Sequence, residues 1–194
     1  KGVAVKEVTP ELRTLAENMV ETMYEENGIG LAAPQVGQSV RLLVIDTRPT
    51  DDEGNPTTEG LTELEQQVQQ PIVLFNPEIL ISKDKTTYEE GCLSVPGFFE
   101  TVERFQYVEA KGLGIDGKEV SIKTDGLLSI CLQHEMDHLE GKLFIDRLSF
   151  VKSNKIKTRI QKHGYPTAEE AADERDEARE RRAAAKAESA IAKR

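Results

Sequence analysis

The chain has 194 residues, 31% of them charged and 5% aromatic, and a formal net charge of −10. One domain with appendages is expected at that length, and the charge balance excludes the broad basic surface of a general nucleic-acid binder. Its apolar runs, such as IVLF at 72–75 and RLLVI at 41–45, fall far short of the roughly 20 residues of a membrane span, and two cysteines, Cys92 and Cys131, are too few for a disulfide scaffold.

In chain order, residues 9–26 carry Thr9 as an N-cap, Pro10 at the first helical position and Leu12, Leu15, Met19 and Met23 on one face, which predicts a packed helix ending at Asn27-Gly28. GIGLAAPQVG follows, too glycine-rich and too apolar for an ordinary surface loop. VRLLVID (40–46) reads as a buried strand. Residues 47–70 are predicted to be an exposed insertion with a short helix near 61–68, because 51–70 hold six acids and no base. Strands are expected at 72–75, 78–83, 86–90, 101–111 and 118–124, with Asp116-Gly117 as a hairpin turn. Asp125 can cap a helix running to about 140, stopped by Gly141. A further amphipathic stretch, 150–162, carries Lys152, Lys155, Lys157, Arg159 and Lys162. Beyond Pro166 the Ala/Glu/Arg-rich tail lacks an apolar face and reads as a solvated or partly disordered helix. The organisation expected is a core domain over 1–148 with the acidic insertion at about 47–70, a basic helix over 149–164 and a charged tail over 165–194.

The chemistry starts from QHEMDH at 133–138. His134 and His138 project from one helix face about 6 Å apart along the axis, close enough to share an ion, and Glu135 falls beside it, placed to take a proton from the attacking water. A third ligand is required. The long zinc-protease signature needs a histidine where Phe144 stands, and a glutamate from a following helix would have to come from the polar tail. Cys131 shares the face but lies about 7.5 Å along the axis from the level of the ion; it either lines the pocket beneath the metal or simply fills core. Cys92, in EEGCLSVPG at a strand end, remains, and Cys-His-His with an open fourth position is the arrangement of a hydrolytic site, suited to iron(II) as well as zinc.

GIGLAAPQ (28–35), EGCLS (90–94) and QHEMDH (133–138), in this order, resemble the three motifs of the peptide deformylases, spread over about two thirds of the chain. The resemblance implies an α+β fold of small, mostly antiparallel sheets around a central metal-binding helix, and removal of the formyl group from formylmethionyl nascent peptides in the cytoplasm. It assigns Cys92, His134 and His138 to the metal, Fe(II) with Zn(II) or Ni(II) as other occupants, and Glu135 to acid/base catalysis. Gln35 and the backbone N–H of Leu93 would donate to the oxyanion. The backbone of Ile29 and Gly30, with Gly91 opposite, would hold the substrate as an added strand, and Ile29, Tyr88, Leu127 and Cys131 would line an apolar pocket for its methionine. Arg104 would support the thiolate side of the metal with Asp137 as its partner. The helix over 150–163 corresponds to one that docks bacterial members on the ribosome, and the chain is expected to work as a monomer; His163 receives no role.

Against that pattern the chain departs in three places. The strand and loop that usually precede the first helix are expected to lack about a dozen residues or more, VPGFFE follows Cys92 in place of a VPEQR-like text, and the acidic insertion and charged tail are additional. Two rival readings are a metallopeptidase cutting internal peptide bonds and a non-catalytic ribosome-associated metal protein. Phe144 weighs against the first, and the presence of both Gln35 and Glu135 against the second.

Overall fold

The computed structural model describes residues 1–173, 175–177 and 180, and the chain divides into two compact units. The first comprises Lys1–Tyr88 and Glu103–Phe144. It opens with α1, Pro10–Glu25, in which Thr9 accepts the N–H of Leu12 as N-cap, Pro10 stands first, and Ala16, Met19 and Met23 are buried. Asn27, in the left-handed region at φ 54°, turns the chain into GIGLAAPQ. That stretch is a short strand β1, Gly30–Ala32, followed by a 3-10 turn, Ala33–Val36.

Strand β2, Leu42–Ile45, is buried at every position, and alternation explains why its apolar run is unbroken. Leu43 and Ile45 enter a cluster with Leu128, Leu132 and Leu139, whereas Leu42 and Val44 join Ala16, Met19 and Met23. A strand covered on both faces has no solvent side to make polar. The first face is packed by the helix α3, Gly126–Leu139, and the second by α1. Ten of the fourteen α3 residues are buried, so it is a central helix, not a surface one.

Among the described residues a five-stranded sheet organises the fold: β1-β2-β3-β4-β5, with β3 at Ile72–Cys92, β4 at Val95–Leu113 and β5 at Glu119–Thr124. The β1/β2, β2/β3 and β4/β5 pairs all run antiparallel, and the α+β class follows. Three separate strands were expected where β3 runs without interruption. Its breaks in pattern coincide with Asn76 and Asp84, both at positive φ. A left-handed residue inside a strand bends it as a bulge does without ending it, so turn-like letters here mark bends.

The insertion is mostly exposed but not wholly so. Gln70 is buried and its side-chain oxygen accepts from both the N–H and the hydroxyl of Thr47, Val68 packs on the α3 cluster, and a short helix α2, Glu63–Gln66, carries the buried Glu65. An acidic composition predicts exposure on average. It cannot distinguish the one carboxylate that has a buried partner.

The second unit joins Glu89–Val102 to the described residues from 145 onward. Within it, α4, Phe150–His163, is capped by Ser149 and buries Ile156. Lys152 pairs with Glu100 at 2.7 Å, and Arg159 lies over the ring of the buried Phe98. Gly97 is at φ +79°, and a Cβ there would meet Pro166 Cγ at 2.4 Å. The described start of the charged tail therefore packs within this unit: Thr167 and Glu170 form a capping pair, Ala171 is buried, and Arg175 stacks 4.2 Å from the Phe99 ring. Gly97 and Phe99 of VPGFFE meet this part of the tail, at Pro166 and at Arg175; the rest of the expected tail lies outside the described residues.

Candidate active site

The histidine-bearing helix is held by β4. Gln133 accepts the N–H of Phe105 through Oε1 at 3.0 Å and donates through Nε2 to the Phe105 carbonyl at 2.8 Å, and Ser129 donates its hydroxyl to the same carbonyl at 3.0 Å. One turn further, Arg104 Nη1 donates to Asp137 Oδ2 at 2.7 Å, with both side chains buried. Two buried charges tolerate burial only when paired, so this contact and the amide clamp hold the helix in rotation and in height. They are what Gln133 and Asp137 contribute to QHEMDH. Nothing in the letters around Gln133 marks it as this clamp, because its partner Phe105 lies 28 residues away.

On that helix His134 and His138 turn their Nε2 atoms to within 3.2 Å of each other, with ring centroids 4.9 Å apart. Glu135, 3% exposed, points toward β1. An ideal Cβ on Gly30 would stand 2.5 Å from Glu135 Oε1 and 2.7 Å from Cys131 Sγ. Only a residue without a side chain lets the β1 backbone pass this close to the carboxyl and the thiol.

β1 is the terminal strand of the sheet. The carbonyl of Ile29 accepts the N–H of Asp46 and, at 3.5 Å, the thiol of Cys131, so it is directed at the neighbouring strand and the helix. By the alternation of an antiparallel ladder, Gly30 then presents its N–H and C=O on the open edge. Next along the chain, the Gln35 side-chain oxygen accepts the N–H of Ala32 at 2.8 Å, which directs its amide nitrogen, the donor end, away from Ala32.

Behind β1 lies a second polar cluster. Asp46 accepts two hydrogen bonds from the Arg48 guanidinium and one from the Tyr24 hydroxyl at 2.6 Å. Burial raises the Tyr24 hydroxyl, and the Asp46 carboxylate adds to it, to about 12. Burial acts on Asp46 in the upward direction too, but the bonds from Arg48 and Tyr24 outweigh it and hold that carboxyl below its ordinary value. Since the folded-state value of Tyr24 lies above the ordinary 10, its stabilising contribution is complete below pH 10 and is lost between pH 10 and about 12. An alkaline absorbance titration should find one tyrosine ionising near 12, absent in Tyr24→Phe.

The third candidate donor comes from the β3–β4 hairpin. Cys92 ends β3, half-buried, and its sulfur accepts the N–H of Ser94 at 3.4 Å. Cys92, His134 and His138 form a group able to hold a metal ion, with ligand atoms all within 4.8 Å of one another. The donor set fits: one thiolate and two imidazoles, three protein ligands that leave a fourth position open. Cys131 is not in that group. It is buried under β1, with its sulfur on the Ile29 carbonyl.

Of the other residues the sequence singled out, Gly91 packs on Phe99, whose ring would stand 2.4 Å from a Cβ there. Leu93 is 50% exposed at the hairpin turn, Ile29 and Tyr88 are exposed, and Leu127 is half-buried on the first turn of α3. Phe144, the position where a protease ligand would stand, is fully buried in the core. His163 closes α4.

Residues 1–154 match the family model described as polypeptide deformylase. A peptide deformylase of Syntrophobacter fumaroxidans is 45% identical over 162 residues, covering 84% of this chain and 86% of that protein. One from Thermodesulfovibrio yellowstonii is 47% identical over 152 residues, or 78% of this chain and 83% of its own. Among solved structures, the peptide deformylase of Ehrlichia chaffeensis superposes with a TM-score of 0.71 at 37% identity, covering 83% of this chain and 87% of that one.

Proposed function

The chain belongs to the polypeptide deformylase family, hydrolases that remove the N-formyl group from nascent peptides, and we propose that it does so with Cys92, His134 and His138 as metal ligands and Glu135 as the acid/base. The observation that carries this assignment is the grouping of those three side chains on and beside the helix that holds Glu135. Iron(II) is the ion we assign, with zinc or nickel as other occupants; a bound divalent ion polarises the formyl carbonyl and acidifies water.

The chain's own residues account for the rest. Gly30 offers its N–H and C=O on the open edge of the sheet, and a peptide backbone pairs there as an added strand, with Ile29 beside it and Gly91 opposite. Ile29, Tyr88, Leu127 and Cys131 face the first side chain of the substrate. Gln35, oriented by Ala32, and the N–H of Leu93 donate to the oxygen that gains charge as the formyl carbon becomes tetrahedral. Glu135 removes a proton from the attacking water and returns it to the departing amine, so that formate and a free N-terminus are the products. Arg104 and Asp137 act one step back, by fixing the height of the helix. Every group invoked belongs to one chain, so the centre needs no second copy.

The test is formate release from formyl-Met-Ala-Ser by the iron-loaded protein under anaerobic conditions, beside an unformylated protein substrate. Release from the first without cleavage of the second is expected. Cleavage of internal bonds in the second would favour a peptidase instead.

No described helix is long and apolar enough to cross a membrane. We assign ribosome docking to α4, which would bring the enzyme to its substrate in the compartment where proteins are made. Lys157 is paired with Asp146 and Lys152 with Glu100, so the charge offered to RNA phosphate comes chiefly from Lys155 and Lys162. These line one surface hollow with Phe150 and Val151, and Phe150 is 82% exposed. Changing Lys155 and Lys162 to glutamate should abolish co-sedimentation with ribosomes and flatten its salt dependence; unchanged co-sedimentation would refute the docking.

A further inference from the structure

The helix that carries His134, Glu135 and His138 lacks a cap of its own. Asp125 occupies the N-cap position of α3 without making a side-chain capping bond; its carboxylate accepts the Thr62 hydroxyl instead. The first N–H groups of a helix have no partners within it, and here one partner arrives from 63 positions away. Glu65 Oε1 accepts the N–H of Leu128 at 2.9 Å. Its other oxygen accepts the N–H of Thr62 at 2.8 Å, and the Thr62 hydroxyl accepts the N–H of Glu65 at 3.1 Å. That reciprocal pair caps α2 while it aims the carboxylate at α3. Glu65 is 2% exposed, and a Cβ on Gly126, itself at φ +60°, would meet the carboxylate at 2.7 Å. The glycine leaves just the space that the carboxylate occupies. A negative group at this end also complements the helix dipole.

From this we infer that Glu65, a residue of the acidic insertion, is a positioning residue for the substrate pocket: it holds the first turn of α3, and with it Leu127, in place. The inference rests on the deformylase reading, which puts Leu127 beside the methionine of the substrate. The effect should be local. Gln133, Ser129 and Asp137 tie the middle of α3 to β4 independently, so the metal-bearing turns stay in place when the cap is lost and only the first turn loosens. The insertion is then not an inert surface loop, because α2 delivers a cap to the catalytic helix.

The experiment compares the intact metal-loaded protein with Glu65→Ala and Glu65→Gln, measuring KM and kcat on formyl-Met-Ala-Ser and metal content. Glu65→Ala should raise KM roughly tenfold, with kcat within about threefold and metal retained, and Glu65→Gln, which keeps an acceptor oxygen, should return KM to within about threefold of the parent. A lowered melting temperature with unchanged KM in Glu65→Ala would overturn the inference, since a merely structural cap predicts that pattern. Should that variant fail to fold, Thr62→Val, which loosens Glu65 while leaving its carboxylate present, takes its place and must raise KM in the same way. Absence of formate release from the parent protein would instead strike the deformylase reading itself.

Discussion

Glu135→Ala is expected to lower kcat for formate release by roughly 10²–10⁴-fold while metal content is unchanged. The carboxyl is buried on the central helix, one residue from a proposed ligand, and the β1 backbone passes against it at Gly30. That approach puts the proposed acid/base beside the strand edge where a peptide would lie. No other described carboxylate is assigned a place on that edge, and Asp137 is held by Arg104. Loss of activity together with loss of the metal would instead make Glu135 part of the ion's support, and retention of activity would remove it from the chemistry.

Cys92→Ala should empty the site, with activity falling to background, whereas Cys131→Ala should keep the ion. The two thiols differ in surroundings. Cys92 lies in the group with His134 and His138 and accepts the N–H of Ser94, and a cysteine must be a thiolate to ligate. Cys131 directs its sulfur at the Ile29 carbonyl and is packed with Leu128 and Leu132. Elemental analysis of both purified variants separates the two roles, and metal lost from Cys131→Ala but retained by Cys92→Ala would reverse them.

Helix α3 was readable from the letters because its signals agree: two histidines at i and i+4, a glutamate beside the first, and a glycine at the end. Strand β2 was readable as buried, and its two-sided burial explains why no alternation appears. Other features were hidden for stated physical reasons. Asn76 and Asp84 look like turn residues and are bends in a continuous β3, because local preference does not record whether a partner strand continues. Arg104 with Asp137 was guessed as a pair, but two isolated charges in a sequence carry no sign of burial.

Glu65 went unassigned although Thr62 and Glu65 stand at the spacing of a capping box. The letters reveal that the box caps α2; only the fold reveals that the same carboxylate reaches α3. The tail's own residues offer no apolar stripe, and its described contacts, Arg175 over the Phe99 ring and Pro166 against Gly97, come from far earlier in the chain. Both cases are partnerships across long sequence separations, where pattern and propensity are silent.

On the proposed assignment, one ion held by Cys92, His134 and His138 makes this chain a deformylase. Stepwise addition of iron(II) to metal-free protein under anaerobic conditions, with formate release from formyl-Met-Ala-Ser followed at each step, measures it directly. Activity should rise in proportion to added metal and break sharply at one ion per chain. Formate release that is complete before any metal is added, or that never appears at full occupancy, would contradict it.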